Sequence, residues 1–151
     1  RFAVHPSLHV VYATVPGANA VAVISTISLD LLDLIAVGDA PRGLDVAPDG
    51  LRLYVCNEGS ETVSVIDPFA RQVIDTFDLP YAPYDIETGL GNRLYITPAE
   101  SGSGIMQIDA LTPSVFSVEQ AAKLKTLAPS VPVDEFSIRC AIYNDDGSLA
   151  V

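Results

Sequence analysis

The stretch from Ala40 to Asp67 reads APRGLDVAPDGLRLYVCNEGSETVSVID and alternates apolar runs with short groups of turn residues. The runs are rich in Val, Leu, Tyr and Ile, and they are separated by Pro48-Asp49-Gly50 and by Glu58-Gly59-Ser60. Such a pattern is typical of short β-strands joined by tight turns. A further apolar run follows Pro68-Phe69-Ala70. The sequence therefore predicts four antiparallel strands, over 42–47, 51–57, 62–67 and 72–79.

The second of these strands carries apolar residues on both faces. Leu53 and Val55 alternate with Tyr54 and Cys56, so neither face is polar. A sheet covered on one face only shows a clean alternation of apolar and polar residues. The pattern therefore indicates a sheet that is packed on both sides.

The four-strand pattern returns at a shift of about 42 residues. With one residue deleted, the shift continues from Arg52-Leu53-Tyr54 to Arg93-Leu94-Tyr95. Matching pairs include Val4 and Val46, Tyr12 and Tyr54, Val23 and Val65, and Pro41 and Pro83. A unit of this length with four strands indicates a propeller blade, because solenoid repeats of similar length are helical. A β-sandwich also has short strands, but it does not predict this self-similarity.

We therefore predict an all-β fold, a β-propeller of four-stranded antiparallel blades with about three and a half blades present. The expected bounds are about 1–39 for blade 1, 40–81 for blade 2, 82–130 for blade 3 and 135–151 for the start of blade 4. Such a stack does not close a ring, so we expect the remaining blades to come from the rest of the same chain.

An insertion interrupts the third repeat. Ser117-Val118-Glu119-Gln120 has the form of a capping box, and apolar residues follow at helical spacing as far as Leu127. We expect a short amphipathic helix near 117–127. It serves either as a cover for a sheet edge or as a binding device.

Composition limits the classes of partner. Hydrophobic residues make up 49% of the chain, and the net charge of -11 would repel a phosphate backbone, so we expect no nucleic-acid partner. No apolar stretch is long enough to cross a bilayer, so we expect no membrane insertion. Cys56 and Cys140 lie in apolar runs, which favours buried free thiols.

Recognisable catalytic motifs are scarce. His5 and His9 flank the predicted turn His5-Pro6-Ser7-Leu8-His9, and we expect a surface role for both rather than a metal pair. Asn144-Asp145-Asp146-Gly147 lacks the later ligands of a calcium loop and favours a hairpin turn. We predict no catalytic residues, no metal site and no cofactor.

The loops at one face of the propeller are the best candidates for a binding site. In a propeller, the loops that enter the inner strands and those that join second to third strands open around the central channel. Function in repeat folds resides on such loops, whereas the strands repeat for packing. For Arg42, a binding role stands beside an alternative in which it neutralises Asp45 or Glu58. The candidate residues are Arg42, Tyr81, Tyr84, Asn57, Glu58 and Glu100.

The run Leu53-Tyr54-Val55-Cys56-Asn57, with the whole unit from Ala40 to Asp67, resembles the YVTN repeat. Cys56 replaces the Thr or Ala usual in that family, and the first and third units depart from the motif at Tyr12-Ala13-Thr14-Val15 and Tyr95-Ile96-Thr97-Pro98. The resemblance implies a seven-bladed propeller, usually exported to the periplasm or cell surface, or secreted.

Two functions are compatible with these observations. The first is a non-catalytic, exported scaffold or interaction module that binds a protein or small ligand at the channel-mouth loops. The alternative is a propeller domain or subunit of a periplasmic oxidoreductase. We expect the first, so an enzyme is the less favoured hypothesis.

Overall fold

The structure is a computed structural model that describes residues 1–90, 93–100, 104–110 and 115–116. These residues form three four-stranded antiparallel sheets and, within the described ranges, no α-helix. The predicted helix near 117–127, the fourth blade over 135–151 and Cys140 lie outside the described residues. The strands are β1 Phe2–Val4, β2 Val10–Val15, β3 Ala20–Ser25, β4 Leu31–Ala36, β5 Pro41–Val46, β6 Leu53–Asn57, β7 Thr62–Asp67, β8 Gln72–Asp78, β9 Pro83–Thr88, β10 Arg93–Pro98, β11 Met106–Asp109 and β12 Val115–Phe116.

Each sheet is a meander in which every strand pairs with the next one along the chain. We call β1–β4 blade 1, β5–β8 blade 2 and β9–β12 blade 3. The first strands of successive blades lie side by side, β1 next to β5 and β5 next to β9. The last strands, β4 and β8, are largely exposed. Sheets that converge on their first strands are the blades of a β-propeller, so the predicted fold is confirmed.

Blade 1 packs on blade 2 through one apolar layer. Tyr12, Val21 and Val23 of blade 1 contact Leu53 and Val55 of blade 2, and all five side chains are fully buried. Burying an aliphatic side chain of this size stabilises a fold by about 1.5–3 kcal/mol. The layer therefore stabilises the packing of blade 1 on blade 2.

The opposite face of blade 2 packs on blade 3. Tyr54, Cys56 and Val63 contact Leu94 and Ile96. The side chains of β6 thus divide alternately between the two neighbouring blades, and every residue of β6 is buried. The prediction of a sheet packed on both faces is confirmed for blade 2.

The strand register repeats from blade to blade. Tyr12 pairs with Val23, and Tyr54 pairs with Val65, so both tyrosine and partner advance by 42 residues. Tyr95 pairs with Gln107, where the partner again advances by 42 and the one-residue deletion shortens the step between tyrosines. The three tyrosines therefore occupy equivalent positions of their blades.

His5 is not on the surface, so the prediction for this residue is wrong. Its side chain is only 4% exposed, and Nε2 donates a hydrogen bond to the carbonyl oxygen of Gly50 at 2.9 Å. Nδ1 accepts hydrogen bonds from the backbone N–H groups of Ser7 and Leu8. The ring therefore joins the β1–β2 turn of blade 1 to the β5–β6 turn of blade 2. His9 is exposed, as expected.

Candidate functional site

One edge of the three blades collects the loops that were predicted to surround the channel. It comprises the β2–β3 and β6–β7 turns and the connections between blades, and we call it the channel-side edge. The amide of Asn19 donates to Asp39 at 2.7 Å and its oxygen accepts from the N–H of Ala40. The N–H of Asp39 in turn donates to the hydroxyl of Ser60. These bonds lock a turn of blade 1, the inter-blade connection and a turn of blade 2 into one surface.

Arg42 projects from the start of β5 onto this edge. Its Nε donates to Glu58 Oε2 in an ion pair that joins β5 to the β6–β7 turn. The hydrogen bond and charge of Glu58 raise the pKa of Arg42. The carbonyl oxygen of Arg42 accepts from the hydroxyl of Thr14 at 2.9 Å, which ties this backbone to blade 1. Arg42 therefore neutralises Glu58, which is one of the two roles considered for this arginine. Its side chain stays about half exposed.

Tyr84 occupies the position on β9 that Arg42 occupies on β5. Its side chain is 42% exposed, and the guanidinium carbon of Arg1 lies 5.8 Å from its ring centre, within cation–π range. Arg1 also forms an ion pair with Asp85, with 3.0 Å between Nη2 and Oδ2. Glu58 is the main cause of the raised pKa of Arg42, and the charge of Tyr84 adds a smaller contribution.

We call Arg1, Arg42, Glu58, Tyr84 and Asp85 the Tyr84 cluster. Its members come from three successive blades and form two ion pairs around one aromatic ring. Exposed ion pairs contribute little to stability, with a typical value of about 0–1 kcal/mol. The cluster therefore offers charged and aromatic groups on its surface with a small stability contribution of its own.

Gly43 makes the contact between Arg1 and Asp85 possible. Residues 1, 43 and 85 are equivalent in the repeat, and the middle position has no side chain. A Cβ on Gly43 would lie 2.5 Å from the Cα of Asp85 and 2.9 Å from the backbone nitrogen of Ile86. The absence of a side chain thus lets β9 approach β5 closely and leaves a path for Arg1 across β5.

A group of carboxylates lies further along the inner strands. Asp45 Oδ2 accepts hydrogen bonds from the N–H and the hydroxyl of Thr88, at 2.8 and 2.6 Å, and so joins blade 2 to blade 3. Partial burial raises the pKa of Glu87, and the charges of Asp45 and Asp85 raise it further, whereas Arg1 lowers it. Ionised Glu87 is therefore disfavoured in the folded protein.

The other predicted site residues differ in accessibility. Tyr81 is half-buried against the apolar layer between blades 2 and 3, and Glu100 is exposed beside the end of β10. Asn57 is fully buried, and its amide nitrogen donates to Thr62 and Ser64 across the β6–β7 hairpin. Asn57 therefore supports the hairpin and is not available to a partner at the surface, which corrects its place among the candidate contacts.

Sequence reasoning missed Arg1 and Asp85. The signal was present, because the 42-residue shift places both at the position of Gly43. Opposite charges on either side of a glycine in adjacent inner strands indicate a contact across the middle strand.

Neither a metal centre nor a membrane span is found in the part of the chain that the structure describes. Its His, Cys, Asp and Glu residues form no group of three or more that could hold a metal ion. None of its helical segments has the length and apolar character needed to cross a bilayer.

Comparison with known proteins identifies the class of fold. No protein-family model matches the sequence, and no curated protein matches it significantly. Among solved structures, the chain is similar to Kuenenia stuttgartiensis hydrazine synthase, with 24% identity and a TM-score of 0.70 over 76% of this chain. It is also similar to apo AztD from Citrobacter koseri, with 17% identity and a TM-score of 0.63 over 77% of this chain.

A third similar structure is the dihydro-heme d1 dehydrogenase NirN in complex with DHE, with 14% identity and a TM-score of 0.61 over 73% of this chain. The chain spans 33%, 33% and 24% of these three chains, respectively. Likeness at this level of identity shows the fold, a β-propeller of which the described residues form three blades.

Proposed function

We propose that this chain is part of an exported, non-catalytic β-propeller of the YVTN-repeat type that binds a protein or small ligand at its channel-side edge. The observation that carries the proposal is the Tyr84 cluster, in which three blades bring two arginines, two carboxylates and a tyrosine to one exposed surface. Tyr and Arg are the residue types most often found at the energetic centre of protein interfaces.

The geometry favours recognition through Tyr84 and Arg42. Tyr84 gives a rigid aromatic face, and among the described residues Glu58 is the ion-pair partner from which Arg42 would rotate to reach a ligand. Glu100, exposed on the same edge, supplies a carboxylate from blade 3. A partner that presents both a carboxylate and a basic group would match these charges.

The blade bounds near 1–39, 40–81 and 82–130, with a fourth blade from about 135, belong to the same proposal. Three blades leave the far face of blade 1 uncovered, where Phe2, Val4 and Leu34 are exposed. Contiguous exposed apolar surface favours burial against another sheet. We assign that role to further blades, supplied by the rest of the same chain.

A second candidate is a propeller domain or subunit of a periplasmic oxidoreductase. It is favoured by the names of two similar structures, a hydrazine synthase and a dihydro-heme d1 dehydrogenase. Neither described histidine is placed to ligate iron at the channel mouth. Both ring nitrogens of His5 are engaged in hydrogen bonds, and His9 lies in the β1–β2 turn at the opposite edge. In this hypothesis Arg42 and Tyr84 would contact a cofactor that other parts of the protein hold.

Site-specific photo-crosslinking in living cells tests the binding surface. A benzophenone amino acid replaces Tyr84 or, as the matched control, Leu51, which is 51% exposed in the β5–β6 turn at the opposite edge. We expect a discrete adduct at position 84 and none at 51. Adducts at both positions, or at neither, contradict the proposed surface.

Absorption spectroscopy and metal analysis of the purified full-length protein separate the two candidates. A binding module gives no visible absorption band and no stoichiometric metal. A visible-absorbing cofactor would reject the non-catalytic proposal in favour of the oxidoreductase.

A further inference from the structure

A cavity lies at the edge of the sheets opposite the Tyr84 cluster, between blades 1 and 2. Its volume is about 330 Å³, at the lower end of the range for small-molecule sites of roughly 300–1,000 Å³. The walls come from the β1–β2 turn, from β2 and β3, and from the β7–β8 turn. Apolar side chains form much of the lining, namely Leu8, Val10, Val23, Pro68 and Phe69.

Tyr12 supplies an unsatisfied polar group in this lining. Its side chain is fully buried, and its hydroxyl has no hydrogen-bond partner among the described residues. Leaving a buried hydroxyl unpaired costs about 1–3 kcal/mol. Tyr54, at the equivalent position of blade 2, is 6% exposed, and its hydroxyl is not a buried group without a hydrogen-bond partner. The cavity lining thus includes a tyrosine whose buried hydroxyl has no acceptor among the described residues.

Arg71 supplies a positive charge to the same cavity. Its backbone adopts the left-handed conformation, with φ of 54°, and its N–H donates to the carbonyl oxygen of Asp67 at 2.8 Å. Within the described ranges its guanidinium forms no ion pair. Burial raises the pKa of Tyr12, whereas the charge of Arg71 lowers it, and both residues line the cavity.

The nearby carboxylate is already engaged. Asp67 also influences Tyr12, in the opposite direction to Arg71. However, Oδ1 of Asp67 accepts hydrogen bonds from the N–H groups of Phe69 and Ala70, at 2.8 and 3.0 Å. Asp67 therefore caps the β7–β8 turn through Oδ1 and does not line the cavity, whereas Arg71 and His9 do.

We propose that this cavity binds a small organic carboxylate with an apolar body. The carboxylate accepts hydrogen bonds from the Tyr12 hydroxyl and the Arg71 guanidinium, and the body packs against Leu8, Val23 and Phe69. Planar guanidinium groups match carboxylates in shape and charge, and the apolar walls disfavour a cavity filled by water alone, which needs two to four polar partners for each molecule. The site is independent of the channel-side edge.

Calorimetric titration of the purified full-length protein with benzoate tests the proposal. We expect saturable binding with a dissociation constant on the order of 1 mM, as suits a ligand of this size. Acetate, which lacks the apolar body, and benzyl alcohol, which lacks the charge, should each bind at least about tenfold more weakly. Equal binding of all three would overturn the proposal.

Two substitutions assign the binding to the cavity. Tyr12→Phe keeps the ring and removes the hydroxyl, so it should weaken benzoate binding roughly tenfold and raise the thermal stability of the ligand-free protein. Arg71→Gln should weaken binding by about tenfold or more, with partial rescue in Arg71→Lys. The matched control is Tyr54→Phe, which should leave benzoate affinity unchanged.

The result that overturns the proposal is equally specific. Absence of saturable benzoate binding, or unchanged affinity in both Tyr12→Phe and Arg71→Gln when thermal denaturation shows that they are folded, means that the cavity holds only water. Photo-crosslinking at Tyr84 does not depend on this result, so the two proposals fail separately.

Discussion

Substituting Gly43 by alanine tests the close approach of the inner strands. The added Cβ would lie 2.5 Å from the Cα of Asp85, whereas ordinary carbon contacts are about 3.5–4.0 Å. The nearest atoms include backbone, so the clash cannot be relieved by rotating a side chain, and β9 must move away from β5 by about 1 Å. That movement also disturbs Ile86, which is 1% exposed in the apolar layer of blade 3.

We expect Gly43→Ala to lower the free energy of unfolding by about 2–3 kcal/mol, at the upper end of the range for overpacked sites. The matched control is Gly17→Ala, because a Cβ at Gly17 would have no atom within 4 Å. That change should be neutral or stabilise by about 0.4–1 kcal/mol through the unfolded chain. The assay is equilibrium denaturation in urea on the full-length protein. Values for the two variants that agree within about 0.5 kcal/mol would refute the close approach of β5 and β9.

Three further predictions concern buried and titratable groups. His5→Leu should destabilise the protein by about 2–4 kcal/mol in urea denaturation, because it removes three hydrogen bonds to backbone groups. His9→Leu should change the stability little, and equal effects of the two substitutions would contradict the inter-blade role of His5. Burial raises the pKa of Cys56 well above its usual range. In a Cys140→Ser variant, the thiol of Cys56 should therefore resist thiol reagents near pH 8 in the native protein and react only when the protein is unfolded. Fast labelling of Cys56 in the native protein would contradict its burial. Glu87→Gln should stabilise the fold at pH 7, since it removes a charge that the folded state disfavours. This gain in stability should vanish as the pH falls through the raised pKa of Glu87 to about 4.3, the value in unfolded chains. A gain that persists at lower pH would contradict the electrostatic cause.

Much of the architecture follows from the sequence because it rests on local signals. Strand β7 matches its predicted range, and the alternation of Leu53 and Val55 with Tyr54 and Cys56 correctly indicates two covered faces. The proximity of Arg42 and Glu58 also follows, since a meander brings the start of its first strand to its second turn. In each case the deciding residues lie within one repeat.

Of the three parts that sequence reasoning missed, two depend on contacts between blades and one on the geometry of a single hairpin. His5 reads as a turn residue, but its ring contacts Gly50 of the next blade, 45 positions away. The contact of Arg1 with Asp85 spans three blades and requires the close approach at Gly43. Asn57 resembles a loop residue, and only the geometry of its hairpin shows that its amide is enclosed by Thr62 and Ser64.

The sequential pairing of strands within each blade also shapes how the chain folds. Closing a short loop costs little conformational entropy, so each meander is quick to form, and one blade can assemble while the next is still being synthesised. During that interval the face of blade 1 that carries Tyr12, Val21 and Val23 has no cover, because its partners Leu53 and Val55 emerge about 30 residues later. The apolar layer that later stabilises the propeller is therefore, for a nascent chain, an uncovered surface that favours aggregation.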